Sequence, residues 1–158
     1  MKDKKLEDNI KKAEDFIEIW DKFHHIFKNA LSEAHVTEEK DDEFIATKDL
    51  VNSRYEDLMD SLEVKPLKRF LISPTVYNIL ALDRISTMSD ERLKIVAEDW
   101  SGAFEFLYSL LNRLRKKKKR IEGFNKFFFI MKKKFNRVKP KVAKLSGIRH
   151  TASSEDKE

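Results

Sequence analysis

Apolar residues recur every three or four positions along most of the chain, which is the spacing of one face of a helix. The first stripe covers residues 6–34 in alternating steps of four and three, as in helices that pack like coiled coils. It predicts a helix over about residues 4–34. A second stripe, over residues 44–62, follows Thr37, which is suited to cap a helix N-terminus. Because the connection is short, these helices are expected to form an antiparallel hairpin.

Two further helices are predicted beyond Pro66. Ser73 and Pro74 form a strong start signal, since serine caps and proline fits the first helical position. The third helix is expected over about residues 74–86, apolar on nearly every side and therefore buried. Ser89 is expected to cap the fourth helix, whose stripe covers residues 93–114. Gly102 within it costs about 1 kcal/mol relative to alanine, which indicates close approach of a neighbouring helix.

The composition agrees with a helical protein. Three glycines and three prolines are too few for the turns of a β-rich fold. We predict an all-α antiparallel four-helix bundle with coiled-coil-like seams over residues 1–122, a basic amphipathic helical extension over residues 123–144 and a disordered tail over residues 145–158. The large apolar side chains of the seams form the predicted core: Phe16, Trp20, Phe27, Phe44, Val51, Leu58, Ile79, Leu82, Leu93, Trp100, Phe104, Leu107 and Leu111.

Charge is distributed unevenly along the chain. Fifteen of the 32 residues from Arg113 to Lys144 are basic and only Glu122 is acidic, which gives this segment, the basic arm, a formal charge of +14. Residues 1–112 carry −8 and the last 14 residues carry −1. This asymmetry indicates an anionic partner. The predicted contacts with that partner are Arg113, Arg115, Lys116, Lys117, Lys118, Lys119, Arg120, Lys126, Lys132, Lys133, Lys134, Arg137, Lys139, Lys141 and Lys144.

The basic arm also has an apolar face. Its members share a sector of about 100° on a helical wheel. Gly123, just before the face, is expected to end or bend the helix, and Pro140 is expected to stop it. Phe129 and Ile130 fall outside the sector. The predicted docking face comprises Phe124, Phe127, Phe128, Met131 and Phe135.

Four interpretations of the basic arm follow from the sequence. A basic helix with a phenylalanine face can lie in an anionic membrane interface, which is the preferred hypothesis. The same charge could neutralise the phosphates of RNA or DNA. The helix could instead dock on a protein, and the helical seams could pair with another protein or a second copy. In the fourth interpretation the phenylalanines pack against the bundle and the lysines form a solvated surface.

Catalytic and metal-binding patterns are absent from the sequence. There is no nucleophile elbow, zinc-protease motif, P-loop or dinucleotide fingerprint, and no cysteine. Asp21 and His24 have the spacing of a metal-binding pair, but no second copy exists, so a structural histidine is expected. Tyr55 and Tyr77 are expected to fill the core with wet hydroxyls, and Lys48 to extend out of its seam. We therefore predict a non-enzymatic adaptor without a metal or cofactor.

The location of the protein is also constrained by the sequence. Met1 is followed by Lys-Asp-Lys-Lys and no apolar segment, so a secretory signal is not expected. The longest apolar run is the five residues 127–131, far shorter than a membrane span. These observations predict a cytoplasmic protein, peripheral on the inner membrane face if the preferred hypothesis holds.

Overall fold

The computed structural model describes the backbone of residues 2–148 and the side chains of residues 4–136. Within that part the chain is all-helical and contains no strand. One turn of 3-10 helix, Ile85–Thr87, accompanies the α-helices. The five α-helices of this part are α1 (Lys2–Leu31), α2 (Glu38–Ser61), α3 (Pro66–Ile72), α4 (Pro74–Leu80) and α5 (Asp90–Ile148).

The chain divides into two compact units, with the boundary between Lys116 and Lys117. Unit 1 contains α1 to α4 and the first part of α5. Unit 2 contains the later part of α5, including the apolar face of the basic arm. The predicted boundary after residue 122 stays a prediction.

Capping side chains fix the starts of two helices, as predicted. Thr37 Oγ1 accepts a hydrogen bond of 3.4 Å from the backbone amide of Lys40 at the start of α2. Ser89 Oγ accepts one of 3.2 Å from the amide of Arg92 at the start of α5. Each bond satisfies an amide that has no partner within the helix.

The hydrophobic core of unit 1 is rich in aromatic rings. Phe16 in α1 contacts Tyr55 in α2, with ring centroids 5.4 Å apart. Phe23, two turns later in α1, stacks on Phe44 near the start of α2 at 5.0 Å. Because the order of contacts reverses between the helices, α1 and α2 run antiparallel, which confirms the predicted hairpin.

The first part of α5 packs on α1 through Trp100. The centroids of its ring system lie 5.0 Å from Trp20 and 5.2 Å from Phe23. All predicted core residues are buried except Leu93 and Phe104, which are partly buried and pack against the core.

The third predicted helix is shorter than expected. It was expected over residues 74–86, but α4 ends at Leu80. The carboxylate of Asp41 in α2 accepts hydrogen bonds from the backbone amides of Ile85 at 2.7 Å and Ser86 at 3.1 Å. These amides therefore have a partner outside their own segment, and the helix does not continue to them.

Lys48 in α2 also bonds to the segment that follows α4. Its ammonium donates a 2.6 Å hydrogen bond to the carbonyl of Leu82, and the lysine is partly buried. The expectation that Lys48 extends into solvent is therefore wrong. Its ammonium instead binds a backbone carbonyl just beyond the end of α4.

Gly102 allows α4 to approach α5 closely, as predicted. A Cβ atom built on Gly102 would lie 2.8 Å from Cγ2 of Thr75 in α4. Real side chains essentially never approach so closely. The glycine, which lowers helix propensity, is therefore explained by a packing contact.

Two predicted interruptions of the last helix are wrong. The α5 helix continues through Gly123 and through Pro140 to Ile148. A glycine only lowers helix propensity by about 1 kcal/mol. A proline removes one backbone hydrogen bond and crowds the preceding turn. Neither effect prevents the hydrogen-bond ladder from forming on both sides.

Candidate anionic-surface interface

The large apolar side chains of the basic arm between residues 124 and 135 are exposed. The seven between residues 124 and 135 have exposed fractions of 48% to 69%. They include the predicted docking face and also Phe129 and Ile130. The predicted docking face is therefore exposed among the described residues, and whether it packs on the bundle stays a question for experiment.

The docking face forms one continuous strip on unit 2. The rings of Phe124 and Phe128 contact each other, with centroids 4.8 Å apart. A shallow depression of about 530 Å³ lies further along, between residues 128 and 136. On a helical wheel Lys132 and Lys134 border the strip, about 40° and 20° from its edges. Apolar contact area and cationic groups therefore share one side of the helix.

Few of the described cations of the basic arm are paired with described carboxylates. Arg115 bonds to Glu14 in α1 at 2.7 Å, and Lys118 lies 3.8 Å from Glu122. The other described cations of the predicted site form no ion pair with any described carboxylate: Arg113, Lys116, Lys117, Lys119, Arg120, Lys126, Lys132, Lys133 and Lys134.

Four predicted contacts cannot be placed in this geometry. The side chains of Arg137, Lys139, Lys141 and Lys144 lie outside the described residues. Their backbone belongs to α5. The positive potential that the geometry supports therefore rests on residues 113–134.

His24 packs among aromatic rings of the core. The ring of His24 lies 4.7 Å from that of Trp100 and 5.4 Å from that of Phe104, between centroids. This burial, assisted by Lys28 and His25, lowers the pKa of His24. In the part of the chain that the structure describes, no group of three or more His, Asp or Glu residues could hold a metal ion.

The hydroxyl of Tyr55 is buried rather than wet. It forms a hydrogen bond with Ser73 Oγ, and burial raises the pKa of Tyr55 to about 12. Ser73 Oγ also donates to the carbonyl of Arg69 at 3.2 Å. The expected capping hydrogen bond from Ser73 to α4 is therefore absent from these described residues. The Ser73 hydroxyl bonds instead to Tyr55 in α2 and to the carbonyl of Arg69 in α3.

A second exposed apolar surface lies on α3, and sequence reasoning missed it. We define the α3 surface as Leu67, Phe70, Leu71 and Ile72, all of which are exposed. The segment 64–82 around it contains no acidic residue. The absence of acidic residues from this segment, within the otherwise acidic residues 1–112, was the signal in the sequence that could have indicated the surface.

Comparisons with protein-family models, curated proteins and solved structures produced no match to this chain. No helix among the described residues combines the length and the hydrophobicity that crossing a bilayer requires.

Proposed function

We propose that the protein is a non-enzymatic adaptor that attaches to an anionic lipid surface through the basic arm. The observation that carries this proposal is the exposed phenylalanine strip bordered by cations that have no carboxylate partner among the described residues. A helix of this kind lies in the plane of a membrane interface, with its apolar side among the acyl chains and its lysines at the headgroups.

The expected energies favour such attachment. A lysine or arginine near an anionic surface contributes about 1 kcal/mol, and apolar area removed from water contributes about 25 cal/mol per Å². The basic arm has eleven lysines and four arginines. Lysine acts as a strongly hydrated point charge, so this ratio favours attraction to a charged surface over bidentate recognition of single groups.

Nucleic acid is the second candidate, because the same cations could neutralise phosphates. The basic arm contains no Tyr or Trp, and its rings other than Phe129 form one continuous strip. Base stacking uses rings spaced along a strand, whereas a continuous strip fits immersion in an apolar medium. The lipid interface is therefore preferred.

The rest of the chain has a defined place in this proposal. Residues 1–122 would form an antiparallel four-helix bundle with coiled-coil-like seams, which carries the acidic charge. Because like charges repel, the acidic surfaces of this body would face away from the anionic surface. Pairing through the seams with a protein or a second copy would supply the adaptor's other partner. The site of action would be the inner face of the cytoplasmic membrane.

Sedimentation with vesicles tests the proposal. The protein is mixed with phosphatidylcholine vesicles that contain or lack phosphatidylserine, and we expect binding only to the anionic vesicles. Replacing Lys132, Lys133 and Lys134 by Gln should weaken that binding about a hundredfold. Equal binding to both kinds of vesicle would contradict the proposal.

A matched variant controls for net charge. Replacing Lys11, Lys12 and Lys28 by Gln removes the same charge from exposed positions of α1, and it should change binding far less.

Titration with duplex DNA over several salt concentrations tests the second candidate. Its log affinity should fall with log salt, with a slope of about 0.9 per neutralised phosphate. Binding to DNA without binding to anionic vesicles would replace the lipid proposal.

A further inference from the structure

The α3 helix exposes its apolar side chains and buries its arginine. A surface helix normally does the reverse, because apolar area is stabilised by leaving water. Leu67 is 91% exposed and Leu71 is 77% exposed, whereas Arg69 is only 6% exposed. This orientation leaves a contiguous apolar surface in water, and such surfaces mark interaction sites.

Specific polar contacts hold α3 in this orientation. Arg69 Nε donates a 3.0 Å hydrogen bond to the carbonyl of Val64, and the guanidinium also pairs with Glu56 and Asp60 of α2. Glu56 in turn accepts a 2.9 Å hydrogen bond from the hydroxyl of Tyr77 in α4. Turning the leucines inward would break this network, so the outward orientation is built into the fold.

The charges around the α3 surface fit an anionic partner. Lys65 and Lys68 are exposed beside it. Residues 64–82 contain no Asp or Glu, although residues 1–112 carry −8 overall. The surface therefore combines exposed Leu and Phe side chains with two exposed lysines, and the nearby carboxylates of Glu56 and Asp60 are paired with Arg69. The basic arm shows the same combination in unit 2.

We propose that the α3 surface inserts into the anionic lipid interface as a second point of attachment. The choice of lipid rests on the proposed function of the basic arm. Leu67, Phe70 and Leu71 lie within a sector of about 100° around the helix axis, so one shallow insertion immerses all three. A single weak anchor gives marginal, reversible attachment, and stable attachment takes two signals. The α3 surface supplies the second signal.

Single-cysteine labelling tests both surfaces separately, because the chain has no cysteine of its own. An environment-sensitive fluorophore is attached to Leu71→Cys, to Phe128→Cys and to the exposed α2 control Asn52→Cys. Phosphatidylserine-containing vesicles are then added. We expect a blue shift of emission at positions 71 and 128 and none at position 52.

The labels distinguish the two proposals. A shift at position 128 without one at 71 overturns the α3 proposal and leaves the function of the arm standing. A shift at 71 without one at 128 overturns the function proposed for the arm and retains α3 as the lipid contact. No shift at either position overturns both.

A second variant checks the result without a label. Replacing Leu67 and Leu71 together by Ser should weaken binding to anionic vesicles about tenfold. Leu50→Ser, at an exposed position on α2, is the matched control and should leave binding unchanged. Sedimentation velocity without lipid completes the test. Self-association of the wild type that the double variant abolishes would assign the surface to a second copy and overturn the proposal.

Discussion

Phenylalanines occupy helix faces in both units, but their surroundings differ. In unit 1, Phe16, Phe23, Phe27 and Phe44 are buried and contact other rings at centroid distances of 5.0–6.0 Å. In unit 2 every phenylalanine of the basic arm is exposed. The comparison teaches that a helical stripe predicts where an apolar face lies but not what covers it. For these four rings of unit 1 the chain supplies the cover, and for the rings of the arm we propose that lipid does.

Truncating a buried ring and truncating an exposed ring should change the free energy of unfolding by very different amounts. Trp100→Ala should lower the free energy of unfolding by about 3–5 kcal/mol, because it leaves a cavity among buried rings. Phe128→Ala should change it by less than about 0.5 kcal/mol, because that ring is exposed. Urea denaturation followed by circular dichroism measures both values. Similar losses in the two variants would show that the phenylalanine of the arm is structural.

Alanine substitutions at the two helical glycines, one in each unit, should have opposite and smaller effects on stability. Gly123→Ala should stabilise the helix of the arm by about 1 kcal/mol, since no atom lies within 4 Å of the added methyl group. Gly102→Ala gains the same propensity but forces the methyl against Thr75, so a net loss of stability is expected. Thermal denaturation measures both effects. Combining Gly102→Ala with Thr75→Ser should restore stability, and failure to do so would locate the constraint elsewhere.

The dependence of folding stability on pH should be the smallest of these effects. It tests whether the packing of His24 among aromatic rings in unit 1 disfavours its protonation. Burial against Trp100 lowers the pKa of His24 below its ordinary value of 6.5. The unfolded chain therefore binds a proton at a higher pH than the folded chain does. The resulting contribution is fully present above pH 6.5 and is lost as the pH falls below it.

Calorimetry of His24→Gln at pH 7.5 and pH 5.5 measures this contribution. The variant should lose less stability than the wild type over that interval. His35→Gln is the control, because His35 is exposed and, unlike His25, is not among the groups that lower the pKa of His24. An identical pH response in the wild type and His24→Gln would contradict the assignment.

Local signals in the sequence sufficed for much of the fold. The caps at Thr37 and Ser89 depend on residues within one turn, and the stripes around Trp20 and Trp100 predicted the core. The end of α4 was not predictable in this way. It depends on Asp41, which bonds to amides 44 and 45 positions later in the chain.

The candidate interfaces were predictable to different degrees. Charge counting located the basic arm, because charge is a property of composition. Whether its rings were covered required coordinates, since a buried and an exposed stripe have the same period. The α3 surface was missed because its orientation depends on Arg69 pairing with Glu56 and Asp60 of another helix. A pattern seven residues long does not contain that information.

One measurement tests the central claim most directly. Phe124, Phe128 and Phe135 are replaced together by Ala, and both the melting temperature and the binding to phosphatidylserine-containing vesicles are compared with those of the wild type. We expect an unchanged melting temperature and binding at least tenfold weaker, because the rings are exposed and the proposal places them in lipid. A lower melting temperature with unchanged vesicle binding would contradict the claim.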